Sequence, residues 1–362
     1  MASRSSASDL GWPAAGTGAN SNVTTDDEDD RPALAGPDQP TPPARPGLNT
    51  FTIEGRATPA LFVIGWLGSI LGLSIVVAGV LGGSILLVYF VGPGLLSLGL
   101  VASAGNQAFE RRARGATYAG PSPILVFAAV VAVTYFVGAM LGLLLNALLQ
   151  PSAAEVSAPV VQLIAGAFMA LVYGGVLQLT VIGTGALSWS EMGFRGFGRQ
   201  AIADFIAGAS LALPVIGITL IVGAILVTIF GVTSPSPLEP TGQLSGLALQ
   251  LVVGAIIAPV AEEMLFRGFA VTAWRRSISA NRAILRATLL FAVAHVVSIE
   301  ATTLGEAIGL IAVGAGTRLP VAWVLGWIFV RRGSIWASIG LHATFNAALL
   351  VLAHLAVTSA PT

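Results

Sequence analysis

Glu262 and Glu263 stand side by side in an apolar stretch, and Arg267 follows four residues after the second. On a helix this spacing puts Glu263 and Arg267 on one face, where they can pair. Glu262 points about 100° away at 3.6 residues per turn and is left without that partner. One carboxylate is thereby held ionised while its neighbour stays free for proton transfer, the split in environment that separates acid and base roles. Two further groups could complete such a site. His295 ends the apolar run Phe291 to Ala294, and His342 is followed one turn later by Asn346, so an imidazole and an amide share a face. That pair could donate to an oxyanion or contribute a metal ligand. Each of these residues alone is as well explained by a polar network joining helices, or by a satisfied core histidine.

What positions them is a membrane fold. The chain has 362 residues, 55% hydrophobic and 9% charged, with mean hydropathy +0.86. These values lie far from those of a water-soluble domain. Net charge is zero and no basic block occurs, which argues against a nucleic-acid partner. Cysteine is absent, so disulfides, thiolate zinc sites and thiol nucleophiles are excluded together. Every basic residue is Arg, as expected of a GC-rich coding bias and a bacterial plasma membrane. Residues 1–58 carry the acidic run Asp26 to Asp30 and a Pro cluster from Pro40 to Pro46, a composition that predicts a disordered, retained tail.

A span needs about 20 apolar residues, and nine candidates follow the tail. They lie at about 60–81, 84–105, 124–149, 160–187, 202–231, 246–274, 284–299, 304–330 and 334–356 on the spacing of Pro/Gly and polar breaks. The fold class expected is an all-α polytopic transmembrane bundle of eight or nine spans. The first pair shares only Gly82-Gly83 as a turn, and the eighth carries Arg318 and Pro320 mid-span, so either could be broken. Arg111, Arg112, Arg114, Arg195, Arg199, Arg275, Arg276, Arg282, Arg286, Arg331 and Arg332 all fall in alternate loops, which places those loops and the N-terminus in the cytoplasm. Glu155, Glu239 and Glu300 mark the other side. Counted from the cytoplasmic ends, Glu262 lies about 12 residues in, His295 about 11 and His342 about 8, or roughly 12 to 18 Å at 1.5 Å per residue. Ionisable groups at one depth in three spans point to a shared cavity, since each is costly to bury in lipid. An opening toward the cytoplasmic side is expected from that depth.

The three motifs, Glu262-Glu263-Met264-Leu265-Phe266-Arg267, Phe291 to His295 and His342 to Asn346, resemble in order those of the CAAX-protease and bacteriocin-processing family of intramembrane endopeptidases. The Arg331-Arg332-Gly333-Ser334-Ile335-Trp336 stretch is similar to that family's entry into its last helix. The resemblance covers about residues 180–356 and divides the chain into the tail, N-terminal spans over 59–179 and a protease core over 180–356. It implies Glu262 as general base, His295 as an assistant or metal ligand, His342 with Asn346 as oxyanion donors or metal ligands, and Glu263 with Arg267 as orienting partners. It implies a membrane-associated peptide or protein as substrate. A zinc ion held by Glu262, His295 and His342 is one expectation, and a metal-free glutamate mechanism is the other. Arg318 departs from the family, which runs apolar there.

Other classes fit less well. No His-Glu-x-x-His pair and no intramembrane Asp pair exists, and Ser210 beside Gly208 is ordinary membrane packing. A transporter would show inverted repeats, and Glu262 has no counterpart in the first half. The main alternative is a non-catalytic scaffold or bacteriocin-immunity protein that keeps the fold without turnover.

Overall fold

Where the solvent offers no hydrogen-bonding partners, a chain has to satisfy its own backbone, and here helices do so. The computed structural model describes residues 52–53, 56–57, 59–149, 158–233, 241–297 and 299–359. The expected tail lies outside them, apart from strands β1 (Thr52–Ile53) and β2 (Arg56–Ala57), which pair antiparallel. Glu155 and Glu239 lie outside them as well.

The described helices are α1 (Pro59–Gly82), α2 (Leu87–Ala113), α3 (Pro123–Leu149), α4 (Ala158–Ile182), α5 (Arg199–Ala209), α6 (Ala212–Phe230) and α7 (Leu244–Arg275), then α8 (Ala280–Ala294), α9 (Leu304–Gly316), α10 (Leu319–Arg332) and α11 (Ile335–Thr358). Among the described residues, eight helical stretches are long and apolar enough to span a bilayer, with α5–α6 and α9–α10 each counted as one. The protein is an all-α integral membrane bundle.

The arginine-bearing ends meet. Arg112 reaches the Thr184 carbonyl, Arg276 pairs with Glu191 at 2.6 Å, Trp336 donates to the Arg195 carbonyl, and Arg332 lies 3.6 Å from Asp204. Helix α6 starts at this end, since Ser210 and Leu211 just before it line a groove with Arg331 and Arg332. It finishes at the other, where Gly309 of α9 packs on Val232 and Gly316 on Leu226. Helix α9 therefore begins at the arginine-free end, and the chain crosses once between Arg276 and Leu304.

That crossing differs from a full span. Helix α8 has 15 residues, about 22 Å of helix against a hydrocarbon core of about 30 Å. It stops at His295, and the rest of the distance falls to the residues leading to α9. The eighth segment is broken between Gly316 and Leu319, with Pro320 in the first turn of α10. Proline is tolerated there because a first-turn N–H has no intrahelical partner.

Helices α5 and α11 cross at two glycines. A Cβ at Gly208 would lie 1.8 Å from the Ala337 carbonyl oxygen, and one at Gly340 would lie 2.1 Å from that of Phe205. Only a residue without a side chain lets the two backbones approach so closely, and this contact fixes the helix that carries His342. Gly340→Val is expected to lower the apparent Tm in detergent, at an overpacking cost of about 1 to 3 kcal/mol or more. Gly217→Ala, at a position where a Cβ meets nothing within 4 Å, should leave the Tm unchanged or raise it. Equal Tm values for the two variants would contradict the close-packed crossing.

Candidate active site

Helix α7 is irregular around its carboxylates. Glu262 and Glu263 end a six-residue α-helical piece, Ala258–Glu263, which lies between π-helical turns at Val252–Ile257 and Met264–Val271. Such wide turns gather at functional sites. The first has a cause in the sequence. Its last bond runs from the Ala258 N–H to the Val253 carbonyl, and the next in that register would come from residue 259 to Gly254. Residue 259 is proline and has no N–H. The orphaned Gly254 carbonyl instead accepts from Asn346 Nδ2 at 2.7 Å. Asn346 is thus committed by one amide hydrogen to tying α11 to α7, which leaves its second N–H for other work.

Glu263 and Arg267 are fully buried. Arg267 Nη1 donates to Glu263 Oε1 at 2.8 Å, and its Nη2 donates to the Ala322 carbonyl of α10 at 3.1 Å. The guanidinium lies over the Phe291 ring at 4.6 Å, within the range of a cation–π contact. His342 Nδ1 meets the same Glu263 oxygen at 2.8 Å. A carboxylate paired with Arg is an acceptor only, so the imidazole donates from Nδ1, and in the neutral ring Nε2 carries the lone pair.

His295 reaches the same state by another route. Helix α8 ends there in a tighter turn: the His295 N–H bonds the Ala292 carbonyl and those of Val296 and Val297 bond that of Val293, so the Phe291 carbonyl is left without its helical partner. The His295 ring turns back, and Nδ1 donates to the Phe291 carbonyl at 2.8 Å. Its Nε2 is then also bare. Both Nε2 atoms face Glu262 Oε2, at 4.0 Å from His295 and 3.8 Å from His342. That oxygen is buried and has no hydrogen-bond partner. The structure therefore brings Glu262, Glu263, Arg267, His295 and His342 into one cluster, with Asn346 on its edge. Three acceptor atoms face one another at its centre with no donor between them.

The donor types suit zinc, but their spacing does not. Two ligands at about 2.0 to 2.1 Å on a tetrahedral zinc stand about 3.3 Å apart, less than either distance here. Among the described residues no group of three or more His, Cys, Asp or Glu is arranged to hold a metal ion.

Glu262, His295, His342 and Asn346 line a cavity of about 1170 Å³. Its wall follows α3 from Thr134 to Leu145 and α11 from His342 to Ala353, and it includes Glu300 and Leu310. These residues run from the cluster toward the arginine-free end. On the other side of the cluster Leu265, Phe266 and Phe291 are buried, with Phe266 and Phe291 edge to face at 5.1 Å. Tyr173 and Arg318 also line the cavity. Tyr173 belongs to no motif, and nothing in the sequence singled it out.

Residues 244–348 match the family model described as type II CAAX prenyl endopeptidase Rce1-like. This is the family that the motifs resemble, and it is a protease family. The matched stretch runs from the start of α7 into α11 and contains all six candidate residues; the part of the expected core before Leu244 lies outside it. No curated protein and no solved structure matches the chain.

The two carboxylates should respond differently to truncation. Glu263→Ala leaves Arg267 and His342 without their shared acceptor, at about 3 to 5 kcal/mol for a broken buried pair, and should sharply reduce the amount of folded protein in the membrane. Glu262→Ala removes a group with no direct partner and should leave abundance near wild type. Equal losses would mean that both carboxylates are structural.

Proposed function

We propose that the chain is an intramembrane endopeptidase that hydrolyses a peptide bond of a membrane-associated protein or peptide, with Glu262 as general base. The observation that carries this reading is the unpartnered Glu262 Oε2 facing two bare imidazole nitrogens in a cavity. A water between them can donate one hydrogen to Glu262 and one to a ring nitrogen, which orients its lone pair toward a carbonyl carbon lying in the cavity. As the C–O bond forms, Glu262 takes the water proton. Exchange of that proton with the Nε2 atoms places an N–H donor beside the developing oxyanion, where the free N–H of Asn346 can join it. Transfer to the amide nitrogen then lets the C–N bond break, giving a carboxylic acid and an amine. Glu263 and Arg267 take no proton; they fix the His342 tautomer. In this reading the N-terminus is cytoplasmic, and the substrate enters from the arginine-free half of the bundle.

The expected zinc set, Glu262, His295 and His342, remains a second reading. It is favoured by the three facing acceptors, which a single water with two hydrogens cannot all satisfy. A divalent cation there would supply Lewis-acid activation of water, and no step above depends on it.

The test compares the membrane peptides of cells making wild-type protein with those of cells making Glu262→Gln. It is paired with metal analysis of the purified protein and with its activity on the accumulating peptide after chelation and zinc add-back. Peptides that accumulate only in the variant, cut by wild-type protein free of stoichiometric metal, support the glutamate mechanism. Loss of activity on chelation with recovery on zinc would support the second reading. Identical peptide profiles, with no cleavage by purified protein, would instead support the non-catalytic scaffold or immunity protein.

A further inference from the structure

Among the described residues lining the cavity, Arg318 is the one permanent cation. It sits at the break between α9 and α10 and is half-buried. Nη1 donates to the Gly314 carbonyl at 2.7 Å and lies 3.3 Å from the Thr317 hydroxyl, so one corner of the guanidinium is anchored. No carboxylate lies within 4.0 Å of it among the described residues, although Glu262 and Glu300 line the same cavity. Its charge acts on Glu262 and His295 from across the space.

An arginine inside a span is normally compensated by an acid or drawn to the interface. Here the compensating charge is Glu262, across a gap rather than in contact. The side chain reaches back along α9 toward Gly314, which leads to the arginine-free end, so the guanidinium flanks the part of the cavity beyond the Glu262 cluster. A planar guanidinium with free N–H groups is built to take a carboxylate through two parallel bonds.

We propose that Arg318 forms a carboxylate-binding subsite, which holds the C-terminal carboxylate or an acidic side chain of the peptide whose scissile bond lies at Glu262. The assignment rests on the peptidase reading above, and its role is in choosing and placing the substrate. A carboxylate held there sets the stretch of peptide that reaches the base, because the subsite and Glu262 stand at fixed positions on the wall.

Binding is measured with full-length Glu262→Gln protein in nanodiscs, using a fluorescent farnesylated peptide in three forms. These are a free C-terminal carboxylate, a C-terminal amide, and a C-terminal amide with one Glu near the end. At least one acidic form is expected to bind about tenfold or more tightly than the neutral amide. Which acidic form does so separates chain terminus from side chain. Arg318→Gln should erase the preference without changing affinity for the neutral amide, and Arg318→Lys, which keeps the charge, should retain part of it. Equal binding of all three forms, a preference that survives Arg318→Gln, or no binding of either acid would overturn the subsite. Cleavage by the Glu262 protein is scored separately: acid-selective binding without cleavage would sink the peptidase reading alone, and cleavage without acid selectivity would sink the subsite alone.

Discussion

Glu263 is a fully buried carboxylate whose Oε1 accepts from both Arg267 and His342 at 2.8 Å, and much of the site follows from that shared oxygen. A charge removed from water on this scale is tolerated only when paired and hydrogen-bonded. The pairing holds Glu263 ionised, and an ionised Glu263 makes His342 a donor at Nδ1. The free lone pair of His342 is thereby aimed at Glu262. Arg267 is held in turn by the Ala322 carbonyl and the face of Phe291, so α7, α8, α10 and α11 are joined at one point.

Phe291 links that network to the second imidazole. Its ring supports Arg267, lies 4.5 Å from the His295 ring, and its carbonyl holds His295 Nδ1. The end of α8 is part of the same arrangement: the His295 N–H turns to the Ala292 carbonyl, which leaves the Phe291 carbonyl to the His295 ring. Two neighbouring glutamates of identical chemistry thus have different surroundings: Glu263 Oε1 takes two donors, whereas Glu262 Oε2 faces two imidazole nitrogens without a hydrogen bond.

The local part of this was legible in sequence. The spacing of Glu263 and Arg267 predicted their pairing, the arginine distribution predicted which loops meet, and depth counting predicted that Glu262, His295 and His342 share a level. What involved distant partners was not. His342 is 79 positions from Glu263, and hydrophobic periodicity says nothing of which nitrogen it offers. The commitment of Asn346 to Gly254 depends on a π-turn ending at Pro259, a register that propensity does not reveal. The direction in which the cavity extends depends on how Leu265, Phe266 and Phe291 pack, which residue counting from the helix ends does not give. Arg318 stood out in sequence as a charge in an apolar span, but its place on the cavity wall required the break between α9 and α10.

The tautomers of the imidazoles bear most directly on whether Glu262 faces two lone pairs. The chain has three histidines, so nitrogen-15 spectra of histidine-labelled protein in lipid, with His354→Gln used for assignment, resolve each ring near neutral pH. His295 and His342 should both appear as neutral rings protonated at Nδ1, and Glu263→Gln should disturb His342 while leaving His295 unchanged. A proton on Nε2 of either ring in the wild-type protein would contradict the account.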